Sequence, residues 1–146
     1  MIHRLVVRDL HPRLDEKGIT LDIWDGGDFP APHIASCCRL VFPGVVEAWM
    51  RREAAWERIV CLQGMLKLVL CDRREGSPTR DEVSELFLGE YRWREVVVPP
   101  GVLRGWKAMG GGPALALVSL QGESGEGVLL TQEEAGVPYD WEIVMR

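Results

Sequence analysis

The sequence lacks the features that mark several functional classes. It has no long uncharged apolar run that would cross a membrane, and its first residues are too mixed in charge for a signal peptide. Lysine and arginine form no long run and the net charge is −5, which argues against a nucleic-acid partner. These absences predict a soluble, cytoplasmic protein that binds neither membranes nor nucleic acids.

Side chains that commonly bind metals are also scarce. The 3 histidines are scattered near the start of the chain, at His3, His11 and His33. The 4 cysteines fit no zinc-site spacing: Cys37, Cys38, Cys61 and Cys71. Adjacent cysteines such as the first two rarely bridge each other. We therefore expect the cysteines to be small buried hydrophobic residues in a reducing compartment.

The chain is rich in short β-type runs separated by glycine and proline. With 146 residues and no repeats or linkers, residues 1–146 predict a single domain. Candidate strands cover residues 5–7, 19–24, 38–42, 45–50, 58–62, 65–72, 83–88, 94–98, 103–108 and 114–120. This pattern predicts an all-β sandwich or barrel with little helix.

Residues 44–64 follow the spacing of a metal-binding barrel motif without its histidines. The motif runs Gly, five residues, His-x-His, three or four residues, Glu, six residues, Gly. Gly44, Glu57 and Gly64 keep their positions, whereas Met50 and Arg52 stand where the histidines would be. The segment therefore predicts a barrel pocket whose usual metal ligands are replaced.

A second segment, Pro99-Pro100-Gly101-Val102-Leu103-Arg104, fits the partner motif Pro-x-Gly-x-x-His, with Arg104 in the histidine position. Together the two segments resemble the motifs of the cupin superfamily. The resemblance implies a cupin-type double-stranded β-helix, which is a jelly-roll barrel.

Strand alternation predicts independently that Glu57 faces the interior. Residues 57–70 are typical of a β-hairpin with Gln63-Gly64 as a two-residue turn. One face of that hairpin then carries Glu57 with five apolar residues: Ile59, Cys61, Leu66, Leu68 and Leu70. A carboxylate on such a face needs a charged or hydrogen-bonded partner, and Arg52 and Arg104 are the candidates.

An amphipathic helix over residues 45–62 is the alternative for this region. Ala48, Trp49, Ala55, Trp56 and Ile59 recur near helical spacing, with good helix formers between them. The agreement of the two motif spacings with the hairpin favours strands. A helix here would remove the predicted pocket.

Within the cupins, the chain resembles the dTDP-4-dehydrorhamnose 3,5-epimerases. The resemblance is carried by Cys71-Asp72-Arg73-Arg74-Glu75-Gly76-Ser77-Pro78-Thr79, by Gly105-Trp106 and by Pro138-Tyr139-Asp140-Trp141. It implies binding of a nucleotide sugar and a homodimer paired through barrel edges.

The resemblance also implies that the family's proton-transfer residues are replaced in this chain. It places Met50 at the general-base histidine, Glu57 at the catalytic lysine and Arg104 at the second-motif histidine, and residues 114–130 contain no tyrosine for the acid. Epimerisation beside a carbonyl needs a base that removes a proton and an acid that returns one. Methionine does neither.

The candidate site residues follow from these patterns. The candidate catalytic residues are Glu57, Tyr139 and Asp140, and the candidate substrate-binding residues are Glu47, Trp49, Met50, Arg52, Arg73, Arg104 and Trp106. Arginine does not ligate metals, so no metal and no other cofactor is expected. Arg73 and Tyr139 also have plainer interpretations, as a solvated loop charge and as part of a docked C-terminal segment.

Three functions remain open on the sequence. The first is a metal-free epimerase relative with a rearranged acid and base, acting on a nucleotide sugar or another small anionic carbohydrate. The second is a catalytically silent cupin that binds an anionic small molecule. The third is a metal-free isomerase, lyase or cyclase acting on another carbonyl substrate.

Overall fold

Short strands account for nearly all regular structure in the computed structural model, which describes residues 1–24 and 29–142. The strands are β1 (Val6–Asp9), β2 (Arg13–Asp15), β3 (Gly18–Thr20), β4 (His33–Val41), β5 (Val46–Arg52), β6 (Ala55–Gln63), β7 (Met65–Asp72), β8 (Val83–Gly89), β9 (Arg94–Val98), β10 (Val102–Met109), β11 (Ala114–Gly122) and β12 (Gly127–Leu129). The helix α1 (Gln132–Ala135) is a single turn. No helix in the described ranges is long and apolar enough to cross a membrane.

The strands form two five-stranded antiparallel sheets. The first sheet has the order β1-β9-β6-β11-β4 and the second has the order β12-β5-β10-β7-β8, while β2 and β3 pair only with each other. This arrangement confirms the predicted all-β jelly roll. Residues 46–52 and 55–63 are strands, so the alternative helix over residues 45–62 is wrong.

Strand positions agree with the sequence patterns best where nearly the whole strand is buried. The candidate strands at 65–72 and 94–98 have the same first and last residues as β7 and β9. The expected strand at 19–24 is wrong beyond residue 20, and β2 and β12 had no counterpart in the pattern. Three-residue strands with every residue exposed show no apolar alternation, which is the signal on which the prediction depended.

The prediction for residues 57–70 is wrong about which strands pair but right about which residues face the interior. β6 pairs with β9 and β11, whereas β7 pairs with β10 and β8, so the turn after Gln63 connects the two sheets. Gly64 has φ of 76°, and a Cβ there would collide with the Pro113 carbonyl oxygen. Alternation along a strand decides which residues share a face, whichever strand is its hydrogen-bonded partner. The inward faces of the two sheets pack against each other in one core, so the inward residues were predicted correctly.

The second sheet is covered on both faces. Between the sheets lies a core that includes Ile59, Leu68 and Trp106. On the outer face, the C-terminal residues Val137 and Trp141 pack over β7 and β10. This outer cover explains why β7 is apolar along most of its length rather than alternating with polar residues.

Candidate functional site

A cavity of about 550 Å³ opens between the two sheets at the end bounded by β4, β5 and β12. β4 and β11 of the first sheet supply one wall, and β5, β10 and residues 129–131 supply the other. Its polar lining is concentrated in a few side chains: Cys37, Arg39, Glu47, Arg52, Arg104 and Thr131. Apolar side chains complete the lining, a combination typical of small-molecule sites.

A bulge in β5 directs its polar side chains into the cavity. Arg104 of β10 lies opposite Met50, but Trp106, two residues later, lies opposite Glu47, so β5 carries one extra residue. The bulge turns Trp49 outward, where its fully buried ring lies 5.6 Å from the ring of Trp141. Glu47 and Met50 both line the cavity as a result.

Gly105 faces this bulge from β10. A Cβ at this position would lie 2.7 Å from the Ala48 Cβ and 2.9 Å from Cζ2 of Trp141. The absence of a side chain therefore lets the bulged strand and the C-terminal segment both approach β10.

Glu57 is the centre of a buried ion-pair cluster, as the sequence predicted. Its carboxylate accepts hydrogen bonds from Nε and Nη2 of Arg104 at 2.5 and 3.1 Å, and Nε of Arg52 lies 3.5 Å from its Oε2. Only 1% of Glu57 is exposed. Arg52 and Arg104 line both the cavity and the narrow space that contains Glu57. The two guanidinium groups therefore separate this carboxylate from the cavity.

Glu47 is the carboxylate that reaches the cavity itself. Arg39 donates to it from Nε at 3.2 Å and from Nη2 at 2.7 Å, and the Trp106 indole donates from Nε1 at 3.4 Å. Burial alone would raise its pKa, but these donors and the nearby Arg104 charge outweigh burial and lower the pKa. Glu47 is therefore ionised at neutral pH, with about one third of its side chain exposed.

The orientation of the Arg104 guanidinium group is fixed by Trp106 and Glu57. Its guanidinium carbon lies 4.0 Å from the centre of the Trp106 ring, in a cation–π contact. Two of its nitrogens donate hydrogen bonds to Glu57, and the residue is 8% exposed. The cavity wall thus carries a pre-positioned cation whose orientation is fixed by both neighbours.

Besides Trp49, whose ring points outward, three of the candidate residues lie away from the cavity. Tyr139 packs over the outer face of the second sheet and donates its hydroxyl hydrogen to Glu85. Asp140 is exposed and accepts from the backbone N–H of Glu142 at 2.9 Å. Arg73 pairs with Asp81 and donates to the Gly136 carbonyl. The structure therefore agrees with the plainer interpretations, in which Arg73 is a loop charge and Tyr139 is part of a docked C-terminal segment.

The surroundings of Tyr139 also explain its protonation state. Burial and the adjacent Glu85 carboxylate both raise the pKa of its hydroxyl group. The buried Lys67 ammonium lies 4.9 Å from the Tyr139 ring and donates to the Trp141 carbonyl at 3.3 Å. This group of contacts fastens the C-terminal segment to the sheet, on the face opposite the cavity.

The Gly-Ser-Pro-Thr motif forms a hydrogen-bonded network around Asp72. The buried carboxylate accepts from Arg74 Nε at 2.9 Å, from Ser77 Oγ at 2.6 Å and from Thr79 Oγ1 at 2.7 Å. Thr79 Oγ1 in turn accepts from the backbone N–H of His3 at 2.8 Å. The motif therefore attaches the N-terminal residues to the end of β7.

The sequence analysis did not identify Cys37 and Arg39 as lining residues: the expected strand began at residue 38 and so omitted Cys37, and no motif pointed to Arg39. It also placed all the cysteines in the interior, which is wrong for Cys37 and Cys38, since both are exposed on the edge strand β4. Residues two apart on a strand share a face, so a strand that began at His33, as β4 does, would have placed Cys37 and Arg39 on the same face.

The residues in the cupin metal positions do not fit a metal ion. Met50 supplies a thioether, which is a weak metal ligand. Arg52 and Arg104 supply guanidinium groups, which do not bind metal ions. Across residues 1–24 and 29–142, no three His, Cys, Asp or Glu side chains come close enough to hold a metal.

Comparison with known proteins identifies the family of this chain, although no protein-family model matches the sequence. The chain is 31% identical over 119 residues to Agl13 of Haloferax volcanii, named as a probable low-salt glycan biosynthesis epimerase, and the match covers 80% of this chain and 76% of that protein. A dTDP sugar isomerase from Desulfovibrio desulfuricans G20 superimposes with a TM-score of 0.86 at 26% identity, covering 96% of this chain and 92% of the other.

The same fold occurs in dTDP-6-deoxy-D-glucose-3,5-epimerase from Legionella pneumophila, solved with dTDP-4-keto-L-rhamnose. It superimposes with a TM-score of 0.83 at 15% identity, covering 96% of this chain and 79% of the other. The chain therefore belongs to the family of the sugar epimerase Agl13, and its fold is the cupin fold of the dTDP-4-dehydrorhamnose 3,5-epimerases.

Proposed function

We propose that this protein binds a nucleotide sugar, or a related anionic carbohydrate, in the cavity between its sheets. The observation that carries the proposal is the convergence of Arg39, Arg52 and Arg104 on that cavity. These three guanidinium groups outnumber the two neighbouring carboxylates, Glu47 and Glu57, which leaves a net positive charge for an anionic ligand. Relatives named as acting on dTDP sugars or in glycan biosynthesis support this ligand class.

The reaction that suits this site is metal-free proton transfer beside a sugar carbonyl, as in an epimerase or isomerase. A fixed guanidinium stabilises the negative charge that develops on a carbonyl oxygen when the neighbouring carbon loses a proton. Arg104 is held in that manner by Glu57 and by the Trp106 ring. Carboxylates serve as bases for such protons.

A catalytically silent binding protein is the second candidate. It is favoured by the positions of the residues expected to catalyse proton transfer, because both oxygens of Glu57 are occupied by arginines and Tyr139 lies on the opposite face of the sheet. On this interpretation the same arginines bind the anion and no bond changes.

Calorimetry with dTDP and with dTDP-4-keto-L-rhamnose tests the binding proposal, and proton NMR of the second ligand in D₂O tests turnover. We expect both ligands to bind, and solvent deuterium to enter beside the keto group even after treatment with a chelator. Replacing Arg39 by Met should weaken dTDP binding about tenfold, because one charge-assisted contact is lost.

Arg13→Met is the matched control, since Arg13 pairs with Asp22 on the separate β2–β3 hairpin. Equal affinity of the two variants would contradict an anion site at Arg39. Binding without any deuterium exchange would support the silent protein instead, and absence of dTDP binding would contradict the ligand class.

A homodimer paired through β4 is a further part of this proposal. Eight of the nine residues of β4 are exposed, and its outer edge pairs with no strand of the described chain. Exposed Leu40 and Phe42 lie at this edge, and such an edge is a template for strand pairing with another chain. We expect light scattering at micromolar concentration to give twice the 16.4 kDa chain mass.

Leu40→Lys should shift that assembly toward monomer, because it places a charge on the pairing edge. Leu14→Lys, on the exposed β2–β3 hairpin, is the control for adding a lysine elsewhere. A wild-type mass near 16.4 kDa would contradict the dimer.

A further inference from the structure

The cavity contains two groups, on facing walls, that are able to exchange a proton with a sugar carbon. We propose that Glu47 is the general base of this site and that Cys37 is the acid that returns the proton from the opposite side. This inference rests on the proposed function, because it assigns the proton-transfer pair for a carbonyl sugar bound in the same cavity.

Glu47 suits the role of base better than Glu57. Among the described residues that line the cavity, Glu47 is the single carboxylate. Its side chain is 33% exposed, against 2% for the side chain of Glu57. Its three donors leave lone pairs unused, since a carboxylate accepts about four hydrogen bonds. A ligand carbon therefore has access to Glu47, whereas the arginines shield Glu57.

Cys37 projects into the cavity from the other sheet. It lies two residues from Arg39 on β4, so their side chains share a face, and Arg39 reaches across to Glu47 on β5. Val118, the partner of Cys37 on β11, lines the cavity as well. The thiol and the carboxylate are thus supplied by strands of the two sheets that enclose the cavity, and inversion at one carbon needs an acid and a base on opposite sides of it.

The chemistry balances without a further reactant. Glu47 takes the proton from the carbon beside the keto group, and the electron pair of that C–H bond forms the enolate. Arg104 stabilises the enolate oxygen and stays protonated. The Cys37 S–H bond then breaks as its proton joins the opposite face of the same carbon, which leaves a thiolate and a protonated Glu47. Proton exchange with water restores both groups before the next turnover.

The single substitutions separate the two roles when dTDP-4-keto-L-rhamnose is followed by NMR in D₂O. Glu47→Gln keeps an oxygen that accepts from Arg39 and Trp106, so the fold and dTDP binding should persist. Deuterium exchange should fall at least about a hundredfold, because the base is lost. Cys37→Ala should still exchange deuterium through Glu47 but should return it to the same face, without inversion.

Cys38→Ser is the matched control, because Cys38 is the exposed neighbour of Cys37 and does not line the cavity. This variant should exchange and invert like the wild type. In the Cys38→Ser protein, iodoacetamide should alkylate Cys37, since Cys61 and Cys71 are buried, and saturating dTDP should slow the alkylation at least about fivefold.

Each outcome decides between the assignments. Full exchange in Glu47→Gln would overturn the base, and full inversion in Cys37→Ala would overturn the acid. If the wild type binds dTDP but exchanges no deuterium, this inference is wrong while the proposed ligand class stands. If the wild type does not bind dTDP, the proposed function fails and this inference fails with it.

Discussion

Replacing Glu57 by Gln should lower the free energy of unfolding by about 3 kcal/mol, because it leaves the buried Arg104 and the partly buried Arg52 without their carboxylate. Arg104 and Arg52 both lie against Glu57, and the Arg104 side chain is 10% exposed. The amide of glutamine would also direct N–H groups at the N–H groups of Arg104. Urea denaturation of wild type and variant measures the difference.

The double variant Glu57→Leu and Arg104→Met is the informative companion. Removing Glu57 together with Arg104 leaves only the partly exposed Arg52 without its carboxylate, so the double variant should be more stable than Glu57→Gln. A Glu57→Gln protein that unfolds like the wild type yet loses all turnover would instead make Glu57 a catalytic base. A variant with neither effect would contradict the buried ion-pair cluster itself.

Asp72→Asn should have a comparable effect, about 3 kcal/mol at pH 7, because one buried carboxylate organises the whole Gly-Ser-Pro-Thr motif. Asn keeps one acceptor oxygen but loses the charge and adds N–H groups that face Arg74, Ser77 and Thr79. Hydrogen exchange should also rise at the N-terminus, since Thr79 holds the backbone N–H of His3.

The cost of Asp72→Asn should depend on pH. Burial acts against ionisation, but the hydrogen bonds from Arg74, Ser77 and Thr79 outweigh it and lower the pKa of Asp72 well below its usual value. A lowered pKa in the folded state contributes stability above the unfolded-state pKa of about 4, and that contribution is lost as the pH falls toward the folded-state pKa. The difference between wild type and variant should therefore shrink below about pH 4.

Asp81→Asn is the matched control for this experiment. Asp81 is an exposed partner of Arg73, and its backbone has φ of 73°, a conformation that asparagine tolerates. It should cost less than about 0.5 kcal/mol and show little pH dependence. A pH-independent loss in Asp72→Asn would contradict an ionised carboxylate at the centre of the motif.

The sequence by itself determined the strand faces and the buried charge of the site. Alternation along β6 and β7 places Glu57, Ile59 and Leu68 on the inward side, and the structure confirms these positions. It also predicted that Glu57 needs a charged or hydrogen-bonded partner, because a lone buried carboxylate is too costly, and both candidate arginines lie beside it. These conclusions depend only on neighbouring residues and on the cost of desolvation, which are local properties of the chain.

Only the tertiary structure decided which strands meet and which side chains share the cavity. The turn at Gly64 connects two sheets rather than two paired strands, and the bulge before Met50 brings Glu47 to the same face as Arg52. Packing on the outer face holds Tyr139 away from the cavity that the sequence assigned to it. Such contacts join residues far apart in the chain, and their energies depend on the partner surfaces, so no local pattern specifies them.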